Sequence, residues 1–244
     1  MNRYLFPILT IYICLASEAE MPGIFSADLL QNDPTKQAKN VPDIITMGKS
    51  GNNSNLITVF FSGDGGWFGL EQAIADDLAE SGFSTIGIDT RKYLWTRKSP
   101  DEVAADIAGL LNYYREKWKS SKYVIAGYSQ GAELVPFVYN RLPEELKSNV
   151  TSIVMLSPEE NTDFEVHISN MLGLGNRQNT YDVITEIKKI EKVRQIIILG
   201  ESEDSNVPDL LKEKQIVISR IPGSHHYKGN ASLIVRTLKE DKAF

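Results

Sequence analysis

The sequence predicts an α/β fold built on a doubly wound, mostly parallel sheet. Short runs rich in β-branched residues alternate along the chain with longer segments of helical period. Runs such as Ile196–Leu199 also lack polar alternation, which is typical of parallel strands covered by helices on both faces. In such sheets ligands bind beyond the carboxyl ends of the strands, so the residues that follow each strand are the first candidates for chemistry.

The predicted elements follow one another in β-α-β order. Strands are predicted at 56–61, 84–89, 122–127, 150–156, 194–199 and 215–219. Helices are predicted at 70–81, 101–118, 130–142, 181–191 and 229–240. Together these elements predict a main domain over residues 56–244.

Composition and charge restrict the class of protein. The chain has 244 residues, of which 42% are hydrophobic and 24% charged, as in an ordinary globular domain. Acidic residues outnumber basic residues by 32 to 26, which gives a formal net charge of -6. Because this balance provides no broad electropositive surface, direct binding of nucleic acid is not expected.

Residues 1–19 have the pattern of a secretory signal peptide. Arg3 supplies a positive charge, about a dozen mostly apolar residues follow, and Ser17 and Ala19 suit the positions recognised by signal peptidase. We expect cleavage after Ala19 and a periplasmic mature protein. An uncleaved membrane anchor is the alternative.

The mature chain is expected to contain no cysteine, since the single Cys14 lies inside the predicted signal peptide. Disulfides, a cysteine nucleophile and a thiolate metal site are then excluded, and neither a metal nor an organic cofactor is expected. Residues 20–55 are rich in Asn, Pro, Gly and Lys. They predict a loosely organised lead-in with one edge strand within 43–47.

A serine between two glycines follows the predicted strand at 122–127. The segment Gly127-Tyr128-Ser129-Gln130-Gly131 lies between this strand and a helix, which is the context of a G-x-S-x-G nucleophile elbow. Glycines are needed there because the tight turn strains its serine and leaves no room for neighbouring side chains. Ser129 is therefore the candidate nucleophile of an α/β-hydrolase fold. An ordinary turn with a helix-capping serine is the alternative.

A serine nucleophile needs a base, which in α/β-hydrolases is a histidine after the last strand. His225 and His226 lie at that position. We prefer His225 because it directly follows the Gly223-Ser224 turn, with His226 as the alternative base. If His225 is the base, His226 is expected to pack or to bind substrate. His167 lies in an alternating stretch, where a structural or site-lining role is favoured.

The acid of a triad is expected after the penultimate strand. Three carboxylates follow Gly200, namely Glu201, Glu203 and Asp204. Counting forward from Gly200 favours Glu203, and counting back from Val207 favours Asp204. We prefer Asp204, with Glu203 as the alternative, in the role of holding the imidazole tautomer and stabilising the imidazolium.

Two backbone amides are expected to form an oxyanion hole. One is the amide of Gln130, directly after the candidate nucleophile, and the other is that of Asp64 in the glycine-rich turn Ser62–Trp67. The carboxylate of Asp64 either points away from developing negative charge or meets a positively charged part of the substrate. A phosphate-binding loop is disfavoured because Gly63–Gly66 lacks the P-loop lysine and the spacing of a dinucleotide site.

Four segments together resemble the VirJ and AcvB family of bacterial virulence proteins, over roughly residues 40–240: Ser62–Trp67, Gly127–Ala132, Ser157-Pro158 and Pro222–Tyr227. A single α/β-hydrolase domain after a signal peptide is the VirJ arrangement, since AcvB proteins carry a long additional N-terminal region. The resemblance implies a periplasmic protein linked to type IV secretion of T-DNA and its companion proteins. It also implies hydrolysis of lysyl-phosphatidylglycerol, with Ser129 as nucleophile and a role for the His225-His226 pair.

The substrate implied by this resemblance is an aminoacyl ester whose lysyl group carries two amines. Acidic side chains at strand ends or helix starts near the elbow suit those amines: Asp64, Glu133, Glu159 and Glu160. Trp67 and Tyr128 are the other predicted substrate contacts. Glu133 has an alternative role, because a carboxylate in the first turn of a helix complements the helix dipole.

Partners other than the lipid substrate are also expected. The segment Arg91–Lys98 mixes four cations with aromatic residues and suits a lipid phosphate or an anionic membrane surface, with a solvated loop as the alternative. Components or substrates of a type IV secretion system are further candidate partners. Two other functions stay open: a non-catalytic escort protein for secretion substrates, and a generic esterase or thioesterase.

Overall fold

The computed structural model describes residues 44–47, 55–166 and 180–244. The predicted signal peptide, most of the lead-in and His167 lie outside these ranges. Within them, no helix combines the length and the apolar character needed to cross a membrane.

In the described ranges, seven strands form one sheet: β1 (Ile44–Met47), β2 (Leu56–Phe61), β3 (Ser84–Ile88), β4 (Lys122–Tyr128), β5 (Val150–Leu156), β8 (Arg194–Gly200) and β9 (Val217–Ile221). A separate antiparallel pair is formed by β6 (Asn161–Thr162) and β7 (Tyr181–Asp182). The order in the sheet is β1-β3-β2-β4-β5-β8-β9. The first strand pairs antiparallel with β3, and all other pairs in this sheet are parallel. The predicted mostly parallel sheet is therefore confirmed.

Helices cover both faces of the sheet, as a doubly wound fold requires. In the described ranges they are α1 (Gly69–Glu80), α2 (Thr90–Tyr93), α3 (Pro100–Trp118), α4 (Gln130–Arg141), α5 (Glu144–Lys147), α6 (Val183–Lys188), α7 (Val207–Leu210) and α8 (Ala231–Glu240). On one face α1 and α8 pack together, and on the other α3 packs against α4 and α4 against α6.

The unbroken apolar runs of the strands follow from burial on both faces. Successive side chains of a strand point to opposite faces of the sheet. In β2, Ile57 and Val59 pack in the core beneath α3 and α4, whereas Phe60 packs in the core beneath α1 and α8. A central strand with two buried faces has no position for a solvated polar residue, which explains the missing alternation.

The parallel strands β2, β3, β4, β5, β8 and β9 end at one edge of the sheet, which we call the carboxyl edge. The loops that leave it are 62–68, 89–99, 157–163, 201–206 and 222–230, together with the turn at Ser129. This edge is where the chemistry of a doubly wound sheet is expected.

Candidate active site

Ser129 lies at a sharp turn between β4 and α4. Its φ of 52° and ψ of -124° place a non-glycine residue in a strained backbone conformation. The flanking glycines are required by contact, because a Cβ at Gly127 would lie 2.2 Å from the carbonyl oxygen of Gly131, and one at Gly131 would lie 2.3 Å from that of Ser62. The turn therefore has the geometry predicted for a nucleophile elbow.

His225 is the histidine that faces this serine. Its Nε2 lies 3.0 Å from Oγ of Ser129. His226 points elsewhere, with its Nδ1 at 2.6 Å from the hydroxyl of Tyr128. With its proton on Nδ1, His225 is arranged to accept the proton of Ser129.

The acid that contacts His225 is Glu203, which corrects the preference for Asp204. Nδ1 of His225 lies 2.9 Å from Oε1 of Glu203. Asp204 is exposed and lines a neighbouring cavity, and Glu201 is exposed as well. The physical reason is a tight turn, in which the Glu203 amide donates to the carbonyl of Gly200 at 3.1 Å while the Gly200 amide donates to Oε2 of Glu203 at 3.0 Å. This turn points the side chain of Glu203 back toward the sheet.

Ser157 binds the carboxylate of Glu203, and Tyr227 contacts Ser157 in turn. No role was predicted for either residue from the sequence. Ser157 follows β5, is fully buried and has a φ of 48°. Its hydroxyl donates to Oε2 of Glu203 at 2.6 Å and lies 2.6 Å from the hydroxyl of Tyr227, which donates to the carbonyl of Ile198 at 2.8 Å. The position of Ser157 directly after a predicted strand is the sequence feature that could have indicated this role.

These contacts set the protonation of the pair. Burial raises the pKa of Glu203, but hydrogen bonds from His225, Ser157 and the Gly200 amide outweigh it and hold this pKa below its ordinary value. The hydrogen bond with Glu203 raises the pKa of His225 above its ordinary value, although burial opposes it. Glu203 therefore stabilises the imidazolium that forms when His225 takes a proton.

The turn after β2 lies beside Ser129. A Cβ at Gly63 would be 3.4 Å from Cβ of Ser129, so this backbone makes van der Waals contact with the candidate nucleophile. Asp64 is the next residue, and Gln130 opens α4, where the first amides have no partner within the helix. The two backbone segments chosen for the oxyanion hole thus meet at Ser129, and the role of their amides stays a prediction.

Glu71 is a buried carboxyl behind this turn that the sequence analysis missed. It lies in the first turn of α1, is only 6% exposed and accepts a long hydrogen bond of 3.4 Å from the Gly63 amide. Burial raises its pKa, and the nearby Asp89 adds to the rise. Its carboxyl helps to hold the glycine-rich turn against α1.

Three of the predicted substrate contacts have other roles in the structure. The Trp67 ring covers Gly87, where a Cβ would lie 2.3 Å from the ring, and its Nε1 donates to Gln72 at 2.8 Å. The hydroxyl of Tyr128 donates to the carbonyl of His225 at 3.2 Å, so it positions the histidine loop. Glu133 is fully buried, and its charge contributes to the raised pKa of His225.

An acidic cavity of about 420 Å³ opens beside His225. Four carboxylates line it, and among them Glu203 contacts Nδ1 of His225. Glu160 accepts a hydrogen bond from Asn206 at 3.2 Å, and the exposed Glu159 contributes to the raised pKa of His225. The carboxylates are Glu159, Glu160, Glu203 and Asp204. The cavity therefore suits a cationic group.

The sheet order and the elbow at Ser129 define the class of the protein as an α/β-hydrolase fold. The chain belongs to the family described as bacterial virulence protein (VirJ), whose family model matches residues 55–242. No curated protein matches the sequence.

Solved structures share the fold at low sequence identity. The enol-lactonase from Burkholderia xenovorans LB400 aligns with a TM-score of 0.61 and 13% identity, over 82% of this chain and 96% of that chain. A lipase-esterase related protein from Clostridium acetobutylicum ATCC 824 gives a TM-score of 0.59 and 15% identity, over 81% of this chain and 98% of that chain. Est1E from Butyrivibrio proteoclasticus aligns with a TM-score of 0.56 and 15% identity, over 81% of this chain and 92% of that chain. These similarities support the fold.

Proposed function

We propose that this protein is a periplasmic serine hydrolase that cleaves the aminoacyl ester of lysyl-phosphatidylglycerol and thereby supports type IV secretion. The observation that carries the proposal is the continuous contact of Ser129 with His225 and of His225 with Glu203. A strained serine, a base within hydrogen-bond distance and an acid that orients the base are the parts that acyl transfer requires.

The reaction runs in two acyl transfers. His225 takes the proton from Oγ of Ser129 as this oxygen attacks the ester carbonyl carbon, and the resulting oxyanion is stabilised by the amides of Gln130 and Asp64. His225 then gives its proton to the departing alcohol oxygen, which leaves the lysyl group on Ser129. Water, deprotonated by His225, releases lysine and restores the serine hydroxyl.

The acidic cavity supports a lysyl substrate over a neutral one. It adjoins His225, and Glu159, Glu160 and Asp204 line it without being used in the contact between His225 and Glu203. Opposite charges attract, so these carboxylates favour an acyl group that carries amines. A generic esterase has no need for such a lining.

The test is hydrolysis of lysyl-phosphatidylglycerol by the wild type and by Ser129→Ala, with the secretion phenotype of each in the same strain. We expect Ser129→Ala to lose both. A mutant that keeps the phenotype while losing hydrolysis would show that the escort role is the relevant one. A wild type that cleaves neutral esters as well as lysyl esters would favour the generic esterase.

A further inference from the structure

Two large aromatic side chains are exposed on the carboxyl edge. Phe68 and Trp95 are each 58% exposed, and within the described ranges the only other large hydrophobic side chain with comparable exposure is Leu210 at 40%. Phe68 directly follows the glycine-rich turn beside Ser129, and Trp95 follows α2 in the loop after β3. Single exposed apolar residues are ordinary, but two large aromatic rings at the same edge need a reason.

Arg91 connects the turn after β2 with the loop after β3. Its guanidinium carbon lies 5.2 Å from the centroid of the Phe68 ring, and its side chain passes within 3.2 Å of a Cβ built on Gly66. Helix α2 ends at Tyr93, and the Trp95 amide donates to the carbonyl of Lys92 at 3.4 Å, so Trp95 lies in the turn that directly follows α2. Phe68 and Arg91 are therefore in contact, and Trp95 lies in the same loop as Arg91.

The positive charge of this region is only partly neutralised. Lys92 pairs with Asp89 at 3.5 Å, and Lys98 pairs with Asp106 at 3.1 Å. Arg91 and Arg97 form no ion pair with any residue in the described part of the chain. Two arginines outside these ion pairs thus lie in the loop that carries Trp95, in a chain whose net charge is -6.

We propose that Phe68, Arg91, Trp95 and Arg97 form a docking surface for an anionic phospholipid bilayer. Aromatic rings favour the bilayer interface, and arginines bind lipid phosphates and are attracted to a negative surface potential. This inference deepens the proposed function: it explains how Ser129 reaches an ester that stays in the membrane.

The position of the docking surface relative to Ser129 fits a lipid of mixed charge. In the sheet, β3 and β2 lie on one side of β4, and β5, β8 and β9 lie on the other. The residues of the docking surface lie in the segments that follow β2 and β3, whereas the acidic cavity is formed by loops after β5, β8 and β9. A substrate with amines on one side of its ester and a phosphate on the other matches this separation.

The experiment measures co-sedimentation of the protein lacking residues 1–19 with vesicles that contain no aminoacyl lipid. Vesicles of phosphatidylglycerol and phosphatidylcholine are compared with vesicles of phosphatidylcholine alone. Two double variants are used. One replaces both aromatic residues, as Phe68→Ser with Trp95→Ser, and the other replaces both arginines, as Arg91→Gln with Arg97→Gln. Each is expected to weaken binding to the anionic vesicles by about tenfold or more, because each removes one of the two contributions to interfacial binding.

Matched controls separate docking from general effects. Leu210→Ser removes an exposed hydrophobic side chain elsewhere, and Lys192→Gln with Arg236→Gln removes two exposed cations. Both are expected to bind within about twofold of the wild type, as surface substitutions usually do. Circular dichroism checks the fold of every variant.

The proposal is overturned if the wild type binds anionic and neutral vesicles equally, or if both double variants bind as the wild type does. Hydrolysis of a soluble lysyl ester is followed in parallel and is expected to stay within about twofold in the double variants. Loss of vesicle binding without any measurable hydrolysis by the wild type would keep the docking surface and reject the proposed hydrolase. The two proposals therefore fail separately.

Discussion

At the residue scale, one position decides how the histidine is held. Glu203 and Asp204 are adjacent carboxylates, yet only Glu203 reaches Nδ1 of His225. Its other oxygen is held by Ser157 and by the Gly200 amide. The acid is thus defined by three contacts from three different strands or loops.

This difference makes Glu203→Gln and Asp204→Asn a matched pair. Glu203→Gln is expected to lower kcat by about 10²-fold to 10⁴-fold, because the amide stabilises neither the required tautomer nor the imidazolium. Asp204→Asn should change kcat by less than about threefold, since Asp204 does not contact His225. Steady-state kinetics with a soluble lysyl ester measures kcat of both variants. Equal losses of kcat in the two variants would contradict the assignment of Glu203 as the acid.

The pH dependence of activity follows from the raised pKa of His225. Because only the neutral imidazole accepts the serine proton, kcat/KM is expected to fall as the pH drops through a value above the ordinary histidine pKa of about 6.5. Glu203→Gln removes the largest cause of the rise, so the acidic limb should move to lower pH. A limb that stays in place in this variant would show that Glu203 does not set the pKa of His225.

At the element scale, close packing fixes the start of α4 against the turn after β2. A Cβ at Gly131 would lie 2.3 Å from the carbonyl oxygen of Ser62 and 2.5 Å from that of Phe61, both of which are backbone atoms. Neither atom can move aside as a flexible side chain would. The elbow and the glycine-rich turn therefore keep their relative position only if residue 131 is glycine.

Gly131→Ala is accordingly expected to lower the free energy of unfolding by about 2 kcal/mol or more and to reduce kcat, because it forces two backbone segments apart. Gly109→Ala is the control, since this exposed glycine lies within α3 and a Cβ there meets no atom within 4 Å. It should stabilise the protein by about 0.5–1 kcal/mol through helix propensity. Urea denaturation measures both, and a Gly131→Ala protein as stable as the wild type would refute the packing argument.

The bounds of one helix and one strand differ from those predicted by periodicity, because strand pairing with other parts of the chain shifts them. The helix predicted at 181–191 begins two residues later, at Val183, because Tyr181–Asp182 pair with Asn161–Thr162 as a short antiparallel ladder. The last strand, predicted at 215–219, lies at Val217–Ile221, since its register places Ile221 opposite Gly200 of β8. Both differences come from partners distant in the sequence.

At the scale of the whole molecule, the docking surface and the acidic cavity lie on opposite sides of the carboxyl edge. Arg91 and Arg97 are on the side of β2 and β3, whereas the acidic cavity is on the side of β5, β8 and β9. Ser129 follows β4, which lies between these two groups of strands. This division is a property of the fold, because the contributing residues come from separate parts of the chain.

The cavity is expected to set the preference for a cationic acyl group. The double variant Glu159→Gln with Glu160→Gln should raise KM for a lysyl ester by about tenfold, since it removes two of the carboxylates that attract the amines. KM for an ester with a neutral acyl group should not change, and kcat should change little. A parallel rise of KM for both esters would indicate damage to the site and not a loss of charge recognition.

The sequence alone predicted the fold class, the sharp turn at Ser129 and the choice of His225 as the histidine that faces this serine. Each of these depends on local signals: apolar runs, helical periodicity, and glycines at fixed distances from a serine or histidine. The edge strand was also predicted, because a short apolar run between turn-forming residues has few other outcomes.

The folded structure was needed to show which carboxylate contacts His225, how Ser157 and Tyr227 hold that carboxylate, and that Trp67 and Tyr128 are packing and positioning residues. It also brought Phe68 beside Arg91 and collected the acidic cavity from separate loops. The physical reason is that the direction of a side chain in a loop depends on hydrogen bonds and contacts made by other strands. Such contacts leave no periodic pattern in the sequence of the loop itself.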